Sequence, residues 1–455
     1  MRFWTPLVVL VAITACAVFL VSCSSSKPGT VNTTISDPPT CMAPQGPYLH
    51  VYVTITDVEI HQSADASASD SGWVHLTSNL KDNPVQVDLL GLSNQCFLAT
   101  LGSAGVQPGN YQQIRVILAS NGTSVKNNKC GVSANCVVLA SDPANPQALQ
   151  LSSESQTGIK IPSGQIAGGQ FTVNSGATAD LNIDFDACAS IVVQGNGQYR
   201  LKPVLHAGEV SLTSASTAIS GTIIDNVTLL PVAGGNTVVA LEQKDGSGVD
   251  RVIMEAVPTS NGAFTFCPVA AGMYDVVAVA INGSGITYAA TVITNVQPGD
   301  ALGNVPLTPA GQPASITGQI TTSTGSAATS ADLTVSALQS IGNSTLVTVP
   351  LAQQSSATAT LTTAANVSCP VNTDCANYTL SVPAANPSVG AFNSGGNQTP
   401  AGPALGTGNY TVDGLAFVPG SAAVADCGPP DVNTTGSVTP GGSVTATTLM
   451  FTVCQ

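Results

Sequence analysis

The stretch Leu49-His50-Val51-Tyr52-Val53-Thr54-Ile55-Thr56 decides the fold class. Apolar Leu49, Val51, Val53 and Ile55 alternate with His50, Tyr52, Thr54 and Thr56, the period of a strand with one buried face. The parity then flips, with Val58 and Ile60 apolar, which places a bulge or break near Asp57. Working outward, Val85, Val87 and Leu89 give a second strand and Leu92 to Leu101 a short helix. Pro108-Gly109-Asn110 turns the chain into Tyr111 to Leu118, where Ile114, Val116 and Leu118 share a face. In Asp180-Leu181-Asn182-Ile183-Asp184-Phe185-Asp186 the even positions are polar or acidic and the odd ones apolar. Tyr199 to His206 reads as a strand with Arg200, Lys202 and His206 on its even side and Val204 as the exception.

Composition extends this reading to the whole chain. Of 455 residues only 8% are charged and 4% aromatic, with 44 Gly and 29 Pro, which suits many short strands joined by turns and leaves little for long helices. The expected class is all-β, with tandem β-sandwich-like domains. The formal net charge is −14, and residues 252–455 hold eight acids and no Lys or Arg. A phosphate backbone is bound by neutralising it with basic side chains, so nucleic acid is excluded as a partner of that half.

The amino terminus reads as an export address. Arg2 precedes an apolar run from Leu7 to Ile13 that continues through Phe19, Leu20 and Val21. The run ends in Leu20-Val21-Ser22-Cys23, which resembles the bacterial lipobox, and Ser24-Ser25-Ser26 follow at once. That resemblance implies a signal peptide over 1–22, lipidation of Cys23 and a membrane partner held through that lipid, in a bacterial cell envelope and there in the outer membrane. Ile13-Thr14-Ala15-Cys16 is a looser second lipobox, and an uncleaved helix is the competing reading, since about 20 apolar residues can span a bilayer. Residues 23–47, rich in Ser, Thr, Pro and Gly, read as the lipidated cysteine and its tether.

Setting aside Cys16 and Cys23 leaves ten cysteines, an even number suited to disulfides in an oxidising compartment. Cys130 with Cys136 and Cys369 with Cys375 are each six apart across turn-like sequence and read as local clasps. Cys427 with Cys454 would tie down the last strand, Cys96 would pair with Cys188, and Cys41 with Cys267 remains.

Residues 48–211 carry, in order, VTITDVEIH, GWVHL, VDLLGL, PGNYQQIRVIL, TGIKIP, LNIDFDACASI and YRLKPVL. This series resembles the bacterial domain of unknown function numbered 4382, found in lipoproteins with this kind of signal. The resemblance implies a β-rich envelope domain and no assigned activity or catalytic residue. After the polar break Thr213 to Thr217, residues 218–309 open with Ile219-Ser220-Gly221-Thr222-Ile223 and continue with the buried run Val238 to Leu241. Asn261-Gly262-Ala263-Phe264-Thr265-Phe266 and Ala271-Gly272-Met273-Tyr274-Asp275-Val276 then follow, and this order resembles the carboxypeptidase-regulatory-like, or prealbumin-like, β-sandwich. Residues 314–455 read as a drifted repeat of it, Ile316-Thr317-Gly318-Gln319-Ile320 echoing Ile219 to Ile223, with a long loop from Asn393 to Gly408.

Asp180, Asp184 and Asp186 form a weak calcium candidate, because same-face carboxylates on a strand could gather a hard cation. The favoured alternative has them facing Arg200, Lys202 and His206 in solvated cross-strand pairs. All four histidines (His50, His61, His75 and His206) fall within 48–211 without metal-ligand spacing. Ser78 and Lys81 match an SxxK spacing by chance. No nucleophile-and-base signature is present, so the reading is non-enzymatic and cofactor-free: a binding or surface-interaction lipoprotein whose sandwiches act as spacers, its partner an envelope protein or a glycan. Carbohydrate binding is the alternative, with Tyr274, Tyr288, Tyr378 and Tyr410 as the available rings, most of them patterned as core, and Trp73 outside the sandwiches; a hydrolase is the least favoured reading.

Overall fold

The computed structural model describes residues 26–36, 48–64, 66–91, 99–151, 154–187, 190–193, 197–210, 218–232, 237–342, 345–351, 361–362, 368–418 and 428–453. Among them the chain is all-β, with three short 3-10 helices as the helical content. Among them, too, no helix is long and apolar enough to cross a membrane. The signal sequence, Cys23, Cys41, Cys96, Cys188, Cys427 and Cys454 lie outside the described residues.

The alternation around Val51 produces the long strand Tyr48–His61, and its register against Gln113–Leu118 shifts between Ile55 and Asp57, where the parity flips. That strand lies in a nine-stranded sheet facing a second sheet ordered Leu205–Glu209, Thr178–Phe185, Gly29–Ser36, Ala99–Val106. Val53, Ile60, Ile114 and Val116 from the first sheet meet Ile35, Leu101, Leu181 and Phe185 from the second in one core.

Three expectations need correction here. Residues 29–36 are a strand and not part of the tether: Gly29–Ser36 sits inside its sheet, parallel to Thr178–Phe185 and antiparallel to Ala99–Val106, with Val31 and Ile35 fully buried. The end of the expected helix, from Ala99 on, is likewise strand, while residues 92–98 lie outside the described residues. Tyr199 to His206 is two strands rather than one. Tyr199–Leu201 and Leu205–Glu209 belong to different sheets, separated at Pro203, which has no N–H for a ladder. Val204 breaks the alternation because it lies in that gap.

The regions after Ala218 repeat one topology. Ile219–Asp225 pairs antiparallel with Ala263–Phe266 and parallel with Ala301–Leu307. Ala314–Ser323 pairs antiparallel with Asp374–Val382 and parallel with Ser443–Thr445 and Leu449–Thr452. The other layer is common to both halves: a ten-stranded sheet runs from Ser388–Ala391 through Thr291–Val296, Tyr274–Ala280, Thr237–Lys244 and Val249–Ala256. It continues through Thr345–Thr348, Asp332–Ile341 and Gly408–Phe417 to Val432–Val438, with Leu361–Thr362 pairing with Asp332–Ile341 as the tenth strand. The two sandwiches are thus fused through one sheet. Both faces of its central strands are covered, Val239, Leu241 and Val276 by one core and Val238, Val277 and Val279 by the other. Two-sided burial explains why Val238 to Leu241 is a continuous apolar run instead of an alternating one.

Cys130–Cys136 and Cys369–Cys375 are disulfides with Cα separations of 5.5 and 5.4 Å. Cys267 is also disulfide-bonded, its partner outside the described residues. The loop from Asn393 to Gly408 is held to the first sandwich by Gln398, whose Nε2 donates to the Leu302 carbonyl and whose backbone N–H donates to the Asn304 carbonyl, each at 2.8 Å.

Candidate functional site

Two places concentrate side chains beyond what the core needs. The first is built on the bulged strand. Past the register shift, Asp57 and Glu59 lie two apart on one face, and Glu59 is paired in register with His75 of the short strand Val74–His75. His75 Nδ1 lies 2.7 Å from Asp57 Oδ2 and 2.8 Å from Glu59 Oε1. The carboxylates are buried, while the His75 and Lys81 side chains are 43% and 51% exposed. Lys81 Nζ lies 3.3 Å from Asp57 Oδ2, and Arg115 Nε donates to Glu59 Oε2. The Arg115 guanidinium rests on Trp73 at 4.0 Å from the ring centroid, with the His61 ring 5.1 Å away on the same indole. Of the SxxK-spaced pair, Ser78 opens a 3-10 turn and Lys81 pairs with Asp57.

Asp57, Glu59 and His75 are the residues of this site that could hold a metal, their ligand atoms all within 4.8 Å of one another. Composition and spacing did not single them out. The available signal was the parity flip at Asp57, which turns two acids onto one face; the His75 partnership depends on strand pairing that sequence order does not give.

The second place is the turn after Ile219–Asp225. Asp225 Oδ1 accepts from the Val227 and Thr228 backbone N–H groups at 2.7 and 2.9 Å, and Oδ2 accepts from the Tyr288 hydroxyl at 2.8 Å. These contacts hold the Asp225 carboxyl below its ordinary range, against the opposing effect of burial. The braced turn presents Val227, Leu229 and Leu230 to solvent at 73%, 70% and 64% exposure. Leu229 has φ +59, the left-handed region that a leucine enters only at a cost. The turn therefore places three apolar side chains side by side in water.

The acidic stripe has a different setting from either earlier reading. Asp180 accepts from Asn32 Nδ2 at 2.7 Å, and Asp184 accepts from the Ser36 hydroxyl at 3.0 Å. Positions 180 and 184 lie about 13 Å apart along a strand, too far to chelate one ion. The structure does not bring Asp180, Asp184 and Asp186 together as a calcium site. Arg200 and Lys202 are not opposite them either: of the three expected partners only His206 is in register, against Asp184. The surroundings are buried rather than solvated, because the polar face formed by Asn182, Asp184 and His206 is lined from the next region by Gln243, Met254, Val269 and Ala270. Burial pushes the Asp184 carboxyl well up, against the pull of Ser36, and pushes the His206 imidazole down to about 4. Lys202, taken down to about 7 by burial and then by Arg200, donates to Thr334 Oγ1 at 2.6 Å in the second sandwich. The four tyrosines expected as sugar platforms, Tyr274, Tyr288, Tyr378 and Tyr410, are all buried and offer no ring face.

Residues 28–203 match the family model of a domain of unknown function, DUF4382. The match begins ahead of Gly29–Ser36, in keeping with that strand's place in the sheet. No curated protein matches the chain. Among solved structures, the Bacillus anthracis TIE protein aligns at 11% identity over 94% of this chain and 51% of its own, with a TM-score of 0.16. This chain thus spans about half the length of that protein. The shaft pilin SpaA of Lactobacillus rhamnosus GG aligns at 10% identity over 63% of this chain and 99% of its own, TM-score 0.18. A candidate carbohydrate-binding protein of Bacteroides uniformis aligns at 13% identity over 48% of this chain and 99% of its own, TM-score 0.16. At such TM-scores these likenesses carry no argument, and the all-β architecture stands on this chain's own strands.

Proposed function

We propose that this protein is a non-catalytic, lipid-anchored protein of the bacterial cell envelope that binds another envelope protein through the apolar turn Val227-Thr228-Leu229-Leu230. The observation that carries this reading is the bracing of that turn: Asp225 and Tyr288 fix a backbone that leaves three apolar side chains in water. Exposing them has no benefit within the isolated chain, and they gain only when a partner covers them. The fused sheet gives the turn a stiff support. The two described disulfides suit an oxidising compartment outside the cytosol, and the lipobox-like Leu20-Val21-Ser22-Cys23 supplies the anchor.

Residues 24–455, cross-linked in envelope extracts, should retain a partner that is lost when Val227, Leu229 and Leu230 are replaced together by serine. Retention undiminished by the triple replacement, or turnover of ester, peptide or glycoside substrates by the purified chain, would overturn the reading.

A further inference from the structure

We propose that Asp57, Glu59 and His75 form a binding site for a divalent transition-metal ion such as zinc, with Lys81 occupying the cation's place in its absence. This goes beyond the interaction reading and does not rest on it, since the site and the apolar turn lie in different domains.

The first observation is convergence. Three ligand atoms of three residues lie within 4.8 Å of one another, two of them fixed on buried side chains and one on an exposed imidazole. A histidine Nδ1 carries either one proton or one lone pair. Here it has two carboxylate oxygens at 2.7 and 2.8 Å and the Lys81 ammonium at 3.4 Å. One N–H can serve both oxygens only as a shared, bent bond, whereas a metal ion between them would satisfy all three. Bonds of about 2.0–2.2 Å in tetrahedral geometry place ligand atoms roughly 3.3 Å apart. His75 would draw back by about half an ångström, which its exposed side chain on a two-residue strand allows.

The second observation is how the far oxygens are held. Glu59 Oε2 accepts from Arg115 Nε, and Asp57 Oδ1 accepts from the Thr77 hydroxyl at 3.2 Å and the Val58 N–H at 2.9 Å. Each carboxylate therefore has one oxygen tied by an outer donor and the other turned inward. That is the arrangement that orients ligating carboxylates around metals.

Charge agrees. With Arg115 retained and Lys81 swung into solvent, two carboxylates and one guanidinium leave a net −1 for the incoming cation. One imidazole and two carboxylates suit a transition ion better than calcium or magnesium, which prefer all-oxygen sets.

The test is calorimetric titration of the disulfide-intact chain, residues 24–455, with zinc chloride and separately with calcium chloride. His75→Ala and Lys81→Ala change exposed side chains and leave the buried carboxylates in place; His50→Ala, at the separate His50–Asp88 pair, is the control. One zinc per chain is expected, with affinity at least tenfold weaker in His75→Ala, unchanged in His50→Ala, equal or tighter in Lys81→Ala, and no calcium heat at millimolar concentration. Absence of zinc binding to the unaltered chain, or zinc binding unaffected by His75→Ala, would overturn the proposal.

Discussion

Leu229 holds its left-handed backbone at a cost of about 1–2 kcal/mol. Glycine removes that cost and gives back part of it as unfolded-chain entropy. Leu229→Gly is therefore expected to raise stability by about 0.5–1 kcal/mol in urea unfolding while weakening partner retention. A variant that gains stability and keeps its partner would show that the turn is not a contact. Glu255 offers a second test, through pH. Burial, and then the nearby Asp186, pushes its carboxyl up to about 8. The folded chain thus holds a proton that the unfolded chain releases near pH 4.5, so Glu255 costs stability increasingly as pH rises from there to about 8. Glu255→Gln should match the unaltered chain near pH 4 and exceed it above pH 8. The gain should be on the order of 1 kcal/mol, discounted because Glu255 is only half-buried; a stability difference that stays flat with pH would contradict this assignment.

At the level of single elements, the strand Gly29–Ser36 shows both what the sequence discloses and what it conceals. Its apolar face is only Val31 and Ile35, while Asn32, Thr34 and Ser36 make it look like tether. Those three side chains instead form a ladder with Asp180, Asn182 and Asp184 on the parallel neighbour. A buried polar ladder reads as a solvated segment because its partners lie 148 residues away in sequence. Ile35→Ala should cost about 2–5 kcal/mol, measurable by chemical denaturation, whereas a tether position would show no change. Where pairing is local, legibility was better: the parity flip marked the bulge at Asp57, and the two six-residue cysteine spacings marked the clasps. A further pattern is plain only in three dimensions. Gly109-Asn-Tyr111, Gly272-Met-Tyr274 and Gly408-Asn-Tyr410 each bury a tyrosine whose hydroxyl donates to a backbone carbonyl, of Gln107, Ala270 and Pro383 respectively. The core patterning of most of the sandwich tyrosines agrees with the burial of Tyr274 and Tyr410, while the carbonyl each hydroxyl reaches was not legible.

Across the whole molecule, the shared sheet and one cation join the last two regions. Arg251, the final basic residue of the chain, donates to Asp245 at 2.9 Å in its own region and to Asp413 and Asp431 at 2.5 and 2.9 Å in the next. Asp413 is already pushed up by burial, with Arg251 pulling it back. Arg251→Ala would leave a buried carboxylate uncompensated and should cost about 3–5 kcal/mol. Scanning calorimetry would check this, and a cost below about 1 kcal/mol would mean that the cluster behaves as a solvated surface pair. The joining of the two sandwiches was not legible in the sequence, because the parallel pairings of Val249–Ala256 with Thr345–Thr348 and Thr291–Val296 with Ser388–Ala391 span roughly a hundred residues each. The proposed envelope role depends on the chain being held at a membrane, with its thiols oxidised and the apolar turn of its first sandwich facing the compartment outside the cytosol. The most direct measurement is mass spectrometry of the amino-terminal peptide of the protein taken from the membrane fraction of the cells that make it. The expected peptide begins at Cys23 and bears acyl chains; one that begins upstream, or carries Cys23 as a free thiol, would contradict the lipid-anchored role.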